Sequence, residues 1–135
     1  MKHLQQINDI ILGRIGENES KKDIEKYLKM DLNKTVPNHN FDLVNENEKI
    51  YVEIKTRRCN SKKYKTLYIS NSKYKFIKTH QEYTYYIVYN LYDGLFIYKF
   101  NEDEIFITFG GRTDRGKKEI SKVVNIPTNK LQKII

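Results

Sequence analysis

A single cysteine, two prolines and the lack of any long apolar run already narrow what this chain can be. Cys59 stands alone, so no intramolecular disulfide can form and nothing points to an oxidising compartment. The apolar stretches are short and interrupted, far below the roughly 20 residues that cross a bilayer. Met1-Lys2-His3 is not followed by a signal-peptide core. A membrane protein and a disulfide-stapled secreted scaffold are therefore excluded, and the chain reads as soluble and intracellular. No Pro-, Gly- or Ser-rich linker divides it and no internal repeat stands out, which fits one domain over residues 1–135. The apolar fraction is only 39%, yet eleven Tyr and six Phe can supply a core with hydroxyls at its rim. Disorder is excluded on the same ground, because disordered chains are poor in aromatic residues.

Acid is missing as well, but from one stretch only. Overall, 25 Lys and Arg face 17 Asp and Glu, a net charge of +8. Residues 55–81 carry Lys55, Arg57, Arg58, Lys62, Lys63, Lys65, Lys73, Lys75 and Lys78 and not one carboxylate. Tyr64, Tyr68, Tyr74 and Phe76 are interleaved with them. A block of one sign mixed with aromatic rings suits a polyphosphate backbone. A solvated, Lys-rich surface would give the same excess.

The apolar spacing at 4, 7, 10 and 11 predicts a helix, interrupted by Gly13 and Gly16 and resumed over 17–30, where Ile24, Tyr27 and Leu28 share a face. Residues 33–40, with Pro37, read as a loop. Phe41–Val44 and Ile50–Arg57 read as the two strands of a β-hairpin across a polar turn. A short extended piece is expected at 64–69, and a helix at 70–82 opened by Ser70 or Asn71. Strands follow at 83–89 and 95–100, joined across Asp93-Gly94. A Gly- and Arg-rich loop spans 109–118, a last strand lies near 122–126, and a tail begins at Pro127. The fold class is α/β, a mixed central sheet flanked by helices.

Chemistry concentrates in Asp42 and in Val52-Glu53-Ile54-Lys55. Residues two apart on a strand share a face, so Glu53 and Lys55 point together. A hairpin symmetric about Asn47 and Glu48 sets Asp42 opposite Glu53, close enough for two carboxylates to share a cation. Without a metal or a proton such a pair repels. Hard oxygen ligands suit Mg²⁺ or Mn²⁺, and the Ile54 carbonyl could complete the shell. Lys55 would stand beside the attacking water or the phosphorus.

An Asp followed by Glu-x-Lys on the next strand resembles the PD-(D/E)XK nucleases, whose restriction-endonuclease-like fold matches the helix, hairpin, helix, strand order. The proline of the motif is absent, since Phe41 precedes Asp42. The resemblance implies Asp42 and Glu53 as metal ligands and Lys55 as the catalytic lysine. It also implies an acidic residue on the preceding helix. Glu17, in Gly13-Arg14-Ile15-Gly16-Glu17, takes that place as catalytic residue and metal ligand, with Glu19 in reserve. Contacts to DNA are expected from Arg57 and Arg58, from Lys73, Tyr74 and Lys78 on the second helix, and from Arg112 and Arg115 in the Gly-rich loop. The second helix is also where the family places an auxiliary lysine or glutamine. The Gly110-Gly111-Arg112 region looks like uncharacterised relatives from large DNA viruses and phages. The expected activity is Mg²⁺-dependent hydrolysis of DNA by an endonuclease, with Mn²⁺ substituting. Small size favours a homodimer acting on a structured substrate such as a Holliday junction. The rivals are a non-catalytic nucleic-acid-binding module that keeps the fold, a nuclease directed at RNA, and a structural virion or interaction protein that is basic only for solubility.

Overall fold

The structure is a computed structural model that describes residues 19–112 and 119–135, and side chains over 19–109 and 122–135. The helix expected at 4–12 and the Gly13–Glu17 segment lie outside the described residues. Helix α1 occupies residues 19–28. It is followed by β1 (Asn33–Lys34), β2 (Leu43–Asn45), β3 (Ile50–Thr56), β4 (Thr66–Ser70), α2 (Asn71–Thr79), β5 (Thr84–Leu91), β6 (Gly94–Lys99), β7 (Phe106–Arg112) and β8 (Glu119–Pro127). A 3-10 turn, Thr128–Lys130, leads into β9 (Gln132–Lys133). Among the described residues no helix is long and apolar enough to cross a membrane.

Six strands form a mixed sheet in the order β1-β2-β3-β5-β6-β9, and β4-β8-β7 form a second, antiparallel sheet. The pair β3 and β5 is parallel and lies at the centre. Both strands are rich in β-branched and aromatic residues and buried on both faces, as parallel strands require. Their alternation divides the core. Tyr51 of β3 and Tyr85, Ile87 and Tyr89 of β5 face a cluster completed by Phe41, Ile77, Ile69, Val124 and Ile126. Val52 and Ile54 of β3, with Val88 of β5, face the opposite cluster, where Ile24 of α1, Leu32 and Leu43 pack. Glu53 and Lys55 therefore belong to the face covered by α2 and the small sheet.

The parallel pair needs a crossover, and β4 followed by α2 supplies it. Ser70 caps the helix, its hydroxyl accepting the Lys73 N–H at 3.4 Å. The helix is shorter than the expected 70–82. At His80 the backbone leaves the helical region, and its N–H returns to the Phe76 and Ile77 carbonyls at 3.0 and 3.3 Å. Gly94 turns β5 into β6 at φ +145°, and a Cβ there would sit 2.5 Å from the Ile135 carbonyl oxygen.

Four expectations need correcting. The hairpin's first strand begins at Leu43, not Phe41. Residues 33–34, within the expected loop, pair with β2 as β1. Residues 109–112, read as loop, continue β7, which pairs with β8 from Phe106↔Asn125 to Arg112↔Glu119. Glycine favours loops, but Gly110 and Gly111 sit in a ladder opposite Ser121 and Ile120. The last strand also runs from Glu119 to Pro127, and the tail then folds back as β9 on β6.

Candidate active site

The hairpin register is Leu43↔Val52, Val44↔Tyr51 and Asn45↔Ile50. Carried one residue further, it brings Asp42 level with Glu53. The regular ladder has ended there for a local reason. The Asp42 N–H still donates to the Val52 carbonyl at 3.0 Å. The next donor along β3, the Ile54 N–H, is accepted by the Asp42 carboxylate at 2.8 Å. One carboxylate oxygen thus takes the place of a strand carbonyl, which fixes the side chain against the edge of β3.

Asp42 is exposed, whereas Glu53 is only 5% exposed and lies beneath α2. Two ammonium groups approach Glu53. Lys55 Nζ lies 3.5 Å from Oε1, and Lys73 Nζ lies 3.2 Å from Oε2. Lys73 comes from the first turn of α2 and also donates to the Asn40 carbonyl at 2.7 Å. That places a charge beside Glu53 Oε2 at ion-pair distance, yet no donor is aligned with this buried oxygen as a hydrogen bond. Burial pushes the Glu53 carboxyl above its usual range, and the Asp42 charge pushes it further; Lys73 and then Lys55 pull it back.

Two carboxylates whose charges act on each other, one exposed and one buried, fit a hard divalent cation. Among the described residues no group of three or more His, Cys, Asp or Glu side chains could hold a metal. Mg²⁺ does not need one. It is commonly bound through one or two carboxylates, with water and substrate phosphate filling the octahedron. Beside Asp42 opens a cleft of about 270 Å³, lined among others by Lys21 of α1, Lys34, Thr35, His39 and Ile54. His39 is turned inward: its Nδ1 accepts the Phe41 N–H at 3.0 Å, and its ring stacks on Tyr51.

The residues singled out from sequence are thus distributed unevenly. Asp42, Glu53, Ile54 and Lys55 come together, and Lys73 joins them from α2. Tyr74 and Lys78 are held elsewhere on that helix: the Tyr74 hydroxyl donates to Glu102, and Lys78 pairs with the same carboxylate at 3.2 Å. Arg57 and Arg58 follow the end of β3, where the Arg57 N–H donates to the Asn90 carbonyl at 3.1 Å. Glu17 and Arg115 lie outside the described residues, as does the side chain of Arg112. Glu19 is exposed. Lys21 and Lys34 were not anticipated. Lys21 stands three residues before Ile24, on the inward stripe of α1, and a lysine at such a position was the legible signal.

The raised Glu53 carboxyl sets an expected pH dependence. A carboxyl whose folded pKa is raised disfavours its charged form in the fold, so stability is lost as pH rises from the unfolded value through the folded one. In chelator, Glu53→Gln should melt above the parent at pH 8, and the gap should close towards pH 4.5, the ordinary glutamate value. Thermal melts across that range check it, and a gap independent of pH would show that Glu53 is not ionised at a cost.

A family model described as "Phage putative PDDEXK endonuclease" matches residues 12–134 of the chain. No individually curated protein matches it.

Proposed function

The chain belongs to the phage PDDEXK endonuclease family, and from that premise we propose that it hydrolyses phosphodiester bonds in DNA with Mg²⁺ held by Asp42 and Glu53. The observation that carries this reading is the buried Glu53 carboxylate, set beside Asp42 and flanked by two lysines at 3.5 and 3.2 Å. Such a cluster opposes stability and is explained by chemistry. Mn²⁺ would substitute, and Glu17 and the Ile54 carbonyl would complete the donor set. When bound, the cation supplies a Lewis acid for a phosphate oxygen and acidifies a water molecule.

The rest falls to the chain's own residues. Asp42, tied to the Ile54 N–H, keeps one carboxylate in a fixed place at the cleft. Glu53 holds the Lys55 ammonium where negative charge grows as water attacks phosphorus and the sugar oxygen departs with a proton. Lys73, anchored on Asn40, favours the charged form of Glu53 by offsetting part of its burial. The aromatic cluster beneath the site supplies a rigid, dry floor, which strengthens each of these charge interactions.

Arg57, Arg58 and the cleft lysines Lys21 and Lys34 would carry the flanking phosphates. Neutralising Arg57 and Arg58 together should flatten the salt dependence of DNA binding by roughly 1–2 units of slope, at about 0.9 per phosphate contact. An unchanged slope would place that segment away from the substrate. A branched DNA such as a Holliday junction, cut by a homodimer, is the substrate class favoured by this reading, since the described residues form no separate recognition module. Plasmid, linear and branched DNA incubated with Mg²⁺ and then with chelator test the activity. Cleavage that survives the chelator would overturn the proposed cofactor.

A further inference from the structure

Helix α2 has two working flanks. Lys73 leaves one of them towards Glu53. The other carries Tyr74, Lys75 and Lys78, which together with Ile107 and Phe109 of β7 and Lys122 of β8 line a groove of about 650 Å³. The register Ile107↔Val124 and Phe109↔Lys122 puts these side chains on the face of the small sheet to which the buried Val124 belongs. Phe109 is 72% exposed, the largest value among the large apolar side chains of the described residues. Among the described residues Lys75 and Lys122 stand at this groove without an acidic partner, whereas Lys78 is paired with Glu102 at 3.2 Å. An apolar ring so exposed beside them is a costly surface unless something covers it.

Charge decides what that is. A second copy of the chain docked symmetrically here would bring Lys75 and Lys122 against themselves, and like charges at an interface are strongly unfavourable. A DNA duplex keeps its bases stacked inside and offers the ring nothing. An unpaired strand offers both partners at once, a base face for the ring and phosphates for the lysines. We propose that the groove between α2 and β7 is a second DNA subsite that takes an unpaired strand of the substrate, with a base stacked on Phe109 and phosphates met by Lys75 and Lys122. The inference rests on the nuclease reading in one respect: the strand held here is the continuation of the one cut beside Glu53. Lys73, paired with Glu53, and Tyr74, Lys75 and Lys78, which line the groove, leave the same helix, whose diameter with side chains is about 10–12 Å. Among branched DNAs the groove then favours those with a single-stranded arm, such as a flap or a splayed end, over a fully paired four-way junction.

Fluorescence anisotropy with labelled oligo-dT and with a duplex of equal length, both in chelator, tests the groove without requiring cleavage. Wild-type protein should bind oligo-dT, and Phe109→Ala should weaken that binding roughly 5- to 150-fold, the range for one stacked base, with the duplex affected less than about twofold. Lys75→Gln/Lys122→Gln should lower the salt slope for oligo-dT by roughly 1.4, at about 0.7 per single-strand phosphate. This second variant decides the matter if Phe109→Ala fails to fold. Oligo-dT binding unchanged in both variants would overturn the proposal. So would a shift from dimer to monomer in Phe109→Ala by light scattering, which would make the groove an interface between copies. Phe109-dependent binding in a protein that cleaves nothing would instead remove the nuclease reading and leave the groove as a single-strand site. Cleavage without Phe109-dependent binding would remove the groove alone.

Discussion

Glu53→Gln and Asp42→Asn should each abolish DNA cleavage, by roughly 10³-fold or more, because a metal's charge stabilisation amounts to several kcal/mol and each 1.36 kcal/mol is tenfold in rate. An amide oxygen is a poor replacement for a charged ligand of a hard cation. Both variants should fold. Asparagine keeps an oxygen to accept the Ile54 N–H, which the parent carboxylate accepts at 2.8 Å. Glutamine fills the volume of the buried glutamate and removes a charge that the site disfavours. Asp42→Asn carries an internal control, since Asp42 is the charge that raises the Glu53 carboxyl. Without it Glu53 should ionise at lower pH, while cleavage stays lost. Parental cleavage by either purified variant would mean that the reacting phosphate is held elsewhere.

The second large effect separates the two lysines. Lys55→Ala should reduce turnover by roughly 10²–10³-fold, the usual cost of one group aimed at developing charge, with divalent metal binding changed much less. Lys73→Ala should act differently. Lys73 is the stronger of the two charges that pull the Glu53 carboxyl down. Its loss leaves a buried carboxylate less compensated, so the acid limb of the cleavage profile should move to higher pH, with much of the rate recovered in alkaline buffer. Rate against pH for both variants distinguishes them. A pH-independent loss in Lys73→Ala would assign that lysine to the substrate and not to Glu53.

Much of this arrangement was legible in the sequence because it depends on short-range geometry. The Asn45–Lys49 turn fixed the hairpin register, and that register alone brings Asp42 level with Glu53. Alternation along β3 set Glu53 and Lys55 on one face, and the Ser70 cap marked where α2 begins. What stayed hidden depends on long-range packing. Lys73 is expected from the sequence as a DNA contact on the second helix, but its pairing with the buried Glu53 is not. Only the β4–α2 crossover between the parallel strands β3 and β5 turns it onto Glu53. β7 was missed because Gly110 and Gly111 lack side chains that declare a strand, and its pairing comes from β8. The small sheet β4-β8-β7 joins segments some 60 residues apart, as in Leu67↔Ile126, and no local pattern announces it.

The central claim is that Asp42 and Glu53 form one divalent-cation site, and calorimetric titration of Mn²⁺ into the purified protein and its variants tests it most directly. The parent should take up one tightly held cation per chain. That binding should vanish in Asp42→Asn and in Glu53→Gln, and should persist in Lys55→Ala. Equal Mn²⁺ binding by the parent and both carboxylate variants would contradict the site.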